Sequence, residues 1–221
     1  MTQPIEAHYT RGNLRQAVLD AIVAEGFDPE NLHPDALIAA EEFHTFGRAA
    51  TVALADAADV TSEDRVLDVG SGLGGPARYL ARDRGCRVVG VDLTAELCEV
   101  ATDLTRRVGL TDHVEIEQGD ALALRFADAS FDVVWTQHVS MNIPDKAGFY
   151  HELRRVMRPN GRLAFFDLLA GANQPIHFPV PWAEDQSASA LATADDTRTF
   201  LADAGFKIDV WQDLTPAAVE F

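Results

Sequence analysis

Residues Val66–Ala81, VLDVGSGLGGPARYLA, decide how the rest of the chain is read. Val66, Leu67 and Val69 form the short apolar run of a buried strand, the glycines Gly70, Gly72, Gly74 and Gly75 follow as a turn, and Pro76 sits where a helix opens. Strand, glycine loop and helix N-terminus in that order make a cradle for a polar cofactor. Glycine lets backbone N–H groups approach closely, and the helix dipole adds partial positive charge. Glycine loops also join strands to helices for geometric reasons alone, so the motif needs support from elsewhere.

Two acids supply that support. Asp68 stands in the strand, two residues before Gly70, and Asp92 ends a second apolar run, CRVVGVDLT. An acid about 20 residues beyond the glycines, at the end of the second strand, can accept both ribose hydroxyls of a nucleoside. A dinucleotide would set its pyrophosphate at the helix N-terminus, where Asp68 opposes it; Asp68 suits a cofactor with a cationic end, such as the amino group and sulfonium of S-adenosylmethionine. An acid followed by GxGxG resembles the first motif of the class I S-adenosylmethionine-dependent methyltransferases, and the agreement runs in order from the glycine loop to about Ala170. The loop itself, GSGLGG, is similar to that of small-molecule methyltransferases related to the sarcosine/dimethylglycine and phosphoethanolamine N-methyltransferases. The resemblance implies an α/β fold with a Rossmann-like, doubly wound, mostly parallel sheet, and S-adenosyl-L-methionine as cofactor. It assigns cofactor contacts to Asp68, Gly70, Ser71, Gly72, Gly74, Asp92, Leu93, Asp120, Ala121 and Gln137.

With 221 residues, 47% of them hydrophobic, the chain is long enough for one α/β domain with a full core. No run approaches the ~20 apolar residues of a membrane span, and MTQPIEAHYT lacks a basic-then-apolar leader pattern. A cytoplasmic protein with no membrane partner is the expectation. The net charge is −17, and the only lysines are Lys146 and Lys207. Such a surface repels phosphate backbones and argues against nucleic acid as a partner. Cys86 and Cys98 lack metal-ligand spacing and read as reduced packing residues, with no metal site expected.

Residues 1–60 read as a helical cap, with apolar positions at helical spacing in Asn13–Glu25, a helix opened by Pro34 through Leu37 and Ile38, and an alanine-rich helix over Gly47–Ala58. Between the last two lies EEFHTFGR, whose Phe43 and His44 either fill a helix–helix contact or, as the resemblance implies, lie against the cofactor. Residues 61–221 form the core. There the spacing predicts strands at Arg65–Val69, Arg87–Asp92, Val114–Gln118, Phe131–Thr136 and Arg162–Asp167. Helices are predicted at Gly75–Arg84, Thr94–Val108, Asp145–Val156 and Asp195–Ala204, with a final strand at Phe206–Asp213. Regular alternation with fully apolar strands specifies a parallel sheet covered on both faces, with ligands beyond the strands' carboxyl ends. The seventh, antiparallel strand usual in the resembling fold is not found before Phe221. The proline-broken stretch from Ala170 to Ala190 reads as a lid, since disordered linkers rarely carry aromatics such as Phe178 and Trp182.

Methyl transfer from a sulfonium needs alignment above all, plus a lone pair on the acceptor; oxygen acceptors need a nearby base, whereas an amine needs only to be deprotonated. Candidate groups cluster in WTQHVSMNIPDK. His138 falls just past the fourth strand, where a histidine either serves the chemistry or bonds to nearby backbone. The phosphoethanolamine enzymes place a catalytic His where this chain has Asn142, and pair it with a Tyr near the N-terminus in a context like Tyr9-Thr10. His138, Tyr9 and Asn142 are therefore the catalytic candidates, with Met141 and Trp182 as substrate contacts. N-methylation of a small amine leads; an oxygen or carbon acceptor, a nicotinamide-dependent dehydrogenase and a cofactor binder without transferase activity stay open, as does assembly into a homodimer.

Overall fold

The computed structural model describes residues 3–38, 44–171 and 175–220. In chain order the elements are α1 (Gln3–Tyr9), α2 (Leu14–Ala24), α3 (Arg48–Ala57), β1 (Arg65–Val69), α4 (Gly75–Tyr79), β2 (Arg87–Asp92), α5 (Ala95–Arg107), β3 (Val114–Gln118), β4 (Phe131–Gln137), α6 (Lys146–Val156), β5 (Met157–Phe166), α7 (Ala194–Asp203) and α8 (Thr215–Glu220). Among the described residues the strands form one five-stranded sheet in the order β3-β2-β1-β4-β5, and every pair is parallel. Register is fixed by the apolar runs: Asp68 on β1 lies beside Gly90 of β2 and Trp135 of β4.

Alternate residues of each strand feed two separate cores, as a period of two requires. On one face Leu67, Val69 and Val134 pack with Phe149, Tyr150 and Leu153 of α6 and Leu201 of α7. On the other, Val66, Val133 and Trp135 meet Ala55 of α3, Ala77 of α4 and Leu80. A third cluster joins Val18 and Ile22 of α2 to Val100 and Leu104 of α5 and to Leu73 of the glycine loop. The N-terminal helices thus rest on the cofactor-side helix of the sheet. Local signals act as the residues suggest. Asp145 caps α6 by accepting from Gly148 N at 2.8 Å, and Thr193 caps α7 through Asp196 N at 3.1 Å. Gly205 (φ +86°) closes α7, with Phe206 N donating to Leu201 O at 2.9 Å.

The structure corrects several expectations. The helix opened by Pro34 begins as a 3-10 turn, Pro34–Leu37, and Ile38 is helical after it. The helix expected to run to Arg84 is α-helical only to Tyr79 and widens to a π turn over Leu80–Arg84, where the Cys86 thiol donates to Leu80 O. Thr94 precedes α5 but gives it no side-chain cap; its own N–H goes to Asp92 Oδ1. No strand forms over Phe206–Asp213. Trp211 turns inward onto Phe165 and lies under Arg198, which leaves Ile208 and Val210, of opposite parity, in solvent. β5 starts at Met157, directly after α6 and ahead of the expected Arg162, and takes in Pro159-Asn160-Gly161 as an irregularity: Phe131 pairs with Met157 and Val133 with Arg162, so four residues of β5 stand against one of β4.

Phe149 is fully buried in the α6 core, whereas Val219 on α8 is 82% exposed. Phe149→Ala should cost about 3–5 kcal/mol in urea unfolding, and Val219→Ser should stay within about 0.5 kcal/mol of the parent.

Candidate active site

The strand order reverses between β1 and β4, and both strands end at one crevice, the place where open α/β sheets hold ligands. The loop after β1 is set by three left-handed glycines, Gly70 (φ +75°), Gly72 (φ +52°) and Gly74 (φ +79°). A side chain at Gly70 would run into Val139, 2.3 Å away, so the β4–α6 connection can lie against the turn only because residue 70 has none. At Gly72 the same direction is open space. Val91 O accepts from both Gly70 N (2.7 Å) and Ser71 N (3.1 Å). The buried Arg78 reaches back from α4 to Leu73 O at 2.6 Å and across to Thr105 of α5 at 3.1 Å.

Asp92 closes the loop from the other side. Its Oδ2 accepts from Gly72 N and its Oδ1 from Thr94 N, each at 2.9 Å, and burial holds its pKa above the usual carboxylate range despite those bonds. Leu93 follows, its carbonyl accepting from Gln118 Nε2 at 3.0 Å. Asp68 is 2% exposed, and its Oδ2 has no hydrogen-bond partner among the described residues. Burial first, and the charge of Asp92 second, push its pKa up to about 7. Ser71 Oγ is likewise buried and unpartnered. Buried polar atoms without partners are uncommon, and here they sit with an open glycine in one cradle. That arrangement fits a cofactor that brings both a cation and hydrogen-bonding groups. Asp120, the third acid in the series, uses Oδ1 to accept from Leu122 N at 2.9 Å, the turn-capping geometry, with Ala121 beside it half-buried against the α6 core.

Beyond β4 the sequence candidates come together in two groups. Gln137 is buried, its Oε1 accepting from Trp135 Nε1 (3.0 Å) and Thr51 Oγ1 (3.3 Å), with His44 Nε2 at 3.3 Å from its amide nitrogen. His138 has left-handed backbone (φ +53°), its N–H held by Phe166 O at 2.8 Å and its ring against Phe166. Its Nε2 is buried without a partner, and burial, with His44 nearby, brings its pKa down to about 4. The expected alternative of a ring bonded to backbone is therefore not what this ring does. In the second group Tyr9 Oη donates to Asn142 Oδ1 at 3.4 Å, and Asn142 Nδ2 donates to Trp182 O (2.9 Å) and Ala188 O (2.7 Å). Burial, then Asp92 and Asp167, push the Tyr9 phenol up to about 12. Met141 is buried and its carbonyl accepts from Ala190 N at 2.7 Å, while Trp182 Nε1 is turned to Ser189. Phe43 lies outside the described residues.

Residues 67–165 match a protein family described as "Methyltransferase domain". Residues 67–165 are a methyltransferase domain. Across 163 residues, 73% of this chain and 56% of the relative, it is 37% identical to methyltransferase GfsG of Streptomyces halstedii. It is 35% identical over 130 residues to the glycine/sarcosine/dimethylglycine N-methyltransferase of Actinopolyspora halophila, covering 59% of this chain and 23% of that one. Other relatives are named for methylating a sterol carbon or a tocopherol oxygen. Phosphoethanolamine N-methyltransferase 2 of Haemonchus contortus, solved with S-adenosyl-L-methionine, superposes with a TM-score of 0.71 at 25% identity, over 82% of this chain and 42% of that chain. The chain spans about half the length of the first curated relatives it matches.

Three residues whose hydrogen bonds shape this region escaped the sequence reading. Asp167 ends β5, accepting from Ser140 N at 2.7 Å and Leu168 N at 2.9 Å, and burial raises its pKa. The rule that ligands gather at carboxyl ends of strands would have found it. Lys146 is buried, its ammonium donating to Ser140 O and Ile143 O at 2.6 Å each and to Ala190 O; burial brings its pKa down to about 8. Its being one of two lysines was the only signal. Glu96 had none. Among the described residues no cluster of three His, Cys, Asp or Glu side chains is arranged to hold a metal, and no helix is long and apolar enough to cross a membrane.

Asp68 keeps a proton in the folded chain between its ordinary pKa, near 3.8, and about 7. The folded state then binds more protons than the unfolded one across that window, so stability falls as pH rises through it and levels off above. In urea melts at pH 5 and pH 8, Asp68→Asn should remove a slope on the order of 3 kcal/mol relative to the parent. Asp92→Ala should weaken calorimetric binding of S-adenosylhomocysteine by about one to two orders of magnitude, since it loses charged acceptors for both ligand and loop.

Proposed function

We propose that the protein is an S-adenosylmethionine-dependent methyltransferase acting on a small molecule, and that it methylates the nitrogen of a small amine. The observation that carries the choice of nitrogen is His138: half-buried, neutral at physiological pH and with its buried Nε2 unpartnered just beyond the end of β4. A ring with a pKa of about 4 is too weak a base to ionise a hydroxyl at neutral pH, yet it is well suited to accept an N–H hydrogen bond and hold an amine lone pair in line. Tyr9 stays protonated and offers no alternative base.

The cradle fits the cofactor by its own unsatisfied groups. Asp68 and Ser71 would meet its amino-acid end, Gly72 would leave room for it, and Asp92 with Leu93 would hold the ribose. Asp120 and Ala121 would meet the adenine, while Gln137 and His44 would close the side toward α3. When bound, the cofactor supplies an activated methyl group on a cationic sulfur. The remaining task is alignment and exclusion of water, a service worth about 7–11 kcal/mol in favourable cases. Tyr9, Asn142 and Trp182 wall the acceptor side. The Lys146 ammonium has all three N–H groups committed to carbonyls, so it leaves no cation there for a phosphate-bearing acceptor. A small, uncharged or amine-bearing acceptor agrees with this wall, and a net charge of −17 disfavours nucleic acid. Two free, buried thiols suit a reducing compartment, in keeping with a cytoplasmic location.

Incubation with labelled S-adenosylmethionine and a panel of glycine derivatives, phenols and lipid-like amines should label an amine. Labelling of phenols alone would overturn the choice of nitrogen, and labelling of none despite tight cofactor binding would favour a binder without transferase activity. His138→Ala should lower turnover by about 10²-fold or more while cofactor affinity changes by less than about threefold.

A further inference from the structure

The N-terminal helix α1 carries His8 and Tyr9 onto the acceptor side, where His8 Nε2 lies 3.3 Å from Pro181 O and Tyr9 reaches Asn142. Its link to the body is the short turn from Thr10 to Asn13, which contains Gly12 at φ +74°. Three backbone N–H groups of this turn and of the start of α2 converge on one carboxylate. Glu96 Oε2 accepts from Arg11 N (2.7 Å) and Gly12 N (3.0 Å), and Oε1 accepts from Leu14 N (2.9 Å). Successive N–H groups pointing into one concavity form an anion receptor, and here the anion is a side chain from another helix. Asn13, at the N-cap of α2, makes no side-chain cap, so Glu96 does that work from 82 residues away. The three bonds also hold its pKa below the usual glutamate range.

Glu96 belongs to the first turn of α5, four residues after Asp92, whose carboxylate fixes both Gly72 and Thr94. Tyr9 in turn feels the charges of Asp92 and Asp167. The cofactor acid, the start of α5, the turn at Arg11 and the acceptor wall are thereby joined by one short run of contacts. We propose that Glu96 is a positioning residue: its carboxylate clamps the turn at Arg11–Gly12 and transmits occupancy of the Asp92 site to α1, so that cofactor binding sets Tyr9 against Asn142. The coupling rests on the cofactor reading above; the clamp does not.

Trypsin reads the turn directly, because Arg11 precedes Gly12 and cleavage there needs the clamped backbone to open. Full-length parent, Glu96→Gln and Glu96→Asp proteins are digested with and without S-adenosylhomocysteine, with cleavage after Arg198 on the distant α7 as internal reference. Without ligand, Glu96→Gln should be cut after Arg11 about tenfold faster than the parent relative to that reference, and Glu96→Asp should fall between them. With saturating S-adenosylhomocysteine, the parent should gain further protection after Arg11. Glu96→Gln should gain none, although its calorimetric affinity for the ligand stays within about threefold of the parent, a split that mere loss of packing would not produce. Equal cleavage of parent and Glu96→Gln without ligand overturns the clamp. Equal protection by ligand in both overturns the coupling. If no protein binds S-adenosylhomocysteine, the cofactor reading and the coupling fall together, while the unliganded cleavage ratio still decides the clamp.

Discussion

The site depends on how the chain leaves β1. Between Val69 and Pro76 the backbone must reverse and deliver a helix N-terminus, all within the width of the sheet. Three residues in the left-handed region make the turn possible, and what fixes it comes from β2: one carbonyl, Val91 O, takes two of its N–H groups, and the Asp92 side chain takes a third. The parallel register that sets Asp68 beside Gly90 is what brings that carbonyl and that carboxylate to the right height. Sheet pairing and cofactor cradle are therefore one construction, and a slip of β2 by a residue would dismantle both.

Much of this was legible in the residues. The apolar runs at Arg65–Val69 and Arg87–Asp92 fall where strands fall, because a strand buried on both faces leaves a mostly apolar signature, while the edge strand Val114–Gln118 alternates apolar and acidic residues. Asp92 and Asp120 could be placed near one edge of the sheet because topology puts strand ends together without any knowledge of side-chain direction. What could not be read were features set by direction and by distant partners. Phe206–Asp213 has strand-like alternation, yet Trp211 finds Phe165 and Arg198, and one large ring outweighs two exposed aliphatic side chains. Glu96 looks like any acid in a first helical turn until the N-terminal chain is folded onto it. Lys146 looks like a solvated charge until its three carbonyl partners are in place.

The two sides of the crevice are built by different physics. On the cofactor side buried acids stand partly uncompensated, with Asp68 holding its proton to about pH 7 for want of a cation. On the acceptor side the groups are neutral or already satisfied: a histidine that does not charge, a phenol that does not ionise, an ammonium saturated by carbonyls. Charge complementarity accordingly selects the donor, while shape and hydrogen-bond direction are left to select the acceptor. Relatives named for nitrogen, oxygen and carbon acceptors are in keeping with that division.

The Lys146 ammonium bonds at once to the connection after β4, through Ser140 O and Ile143 O, and to Ala190 in the segment leading into α7. With Ala190 N on Met141 O and Asn142 on Trp182 O and Ala188 O, the far wall of the crevice is riveted to its floor. That wall cannot swing aside as a flap without stripping a buried cation of its ligands.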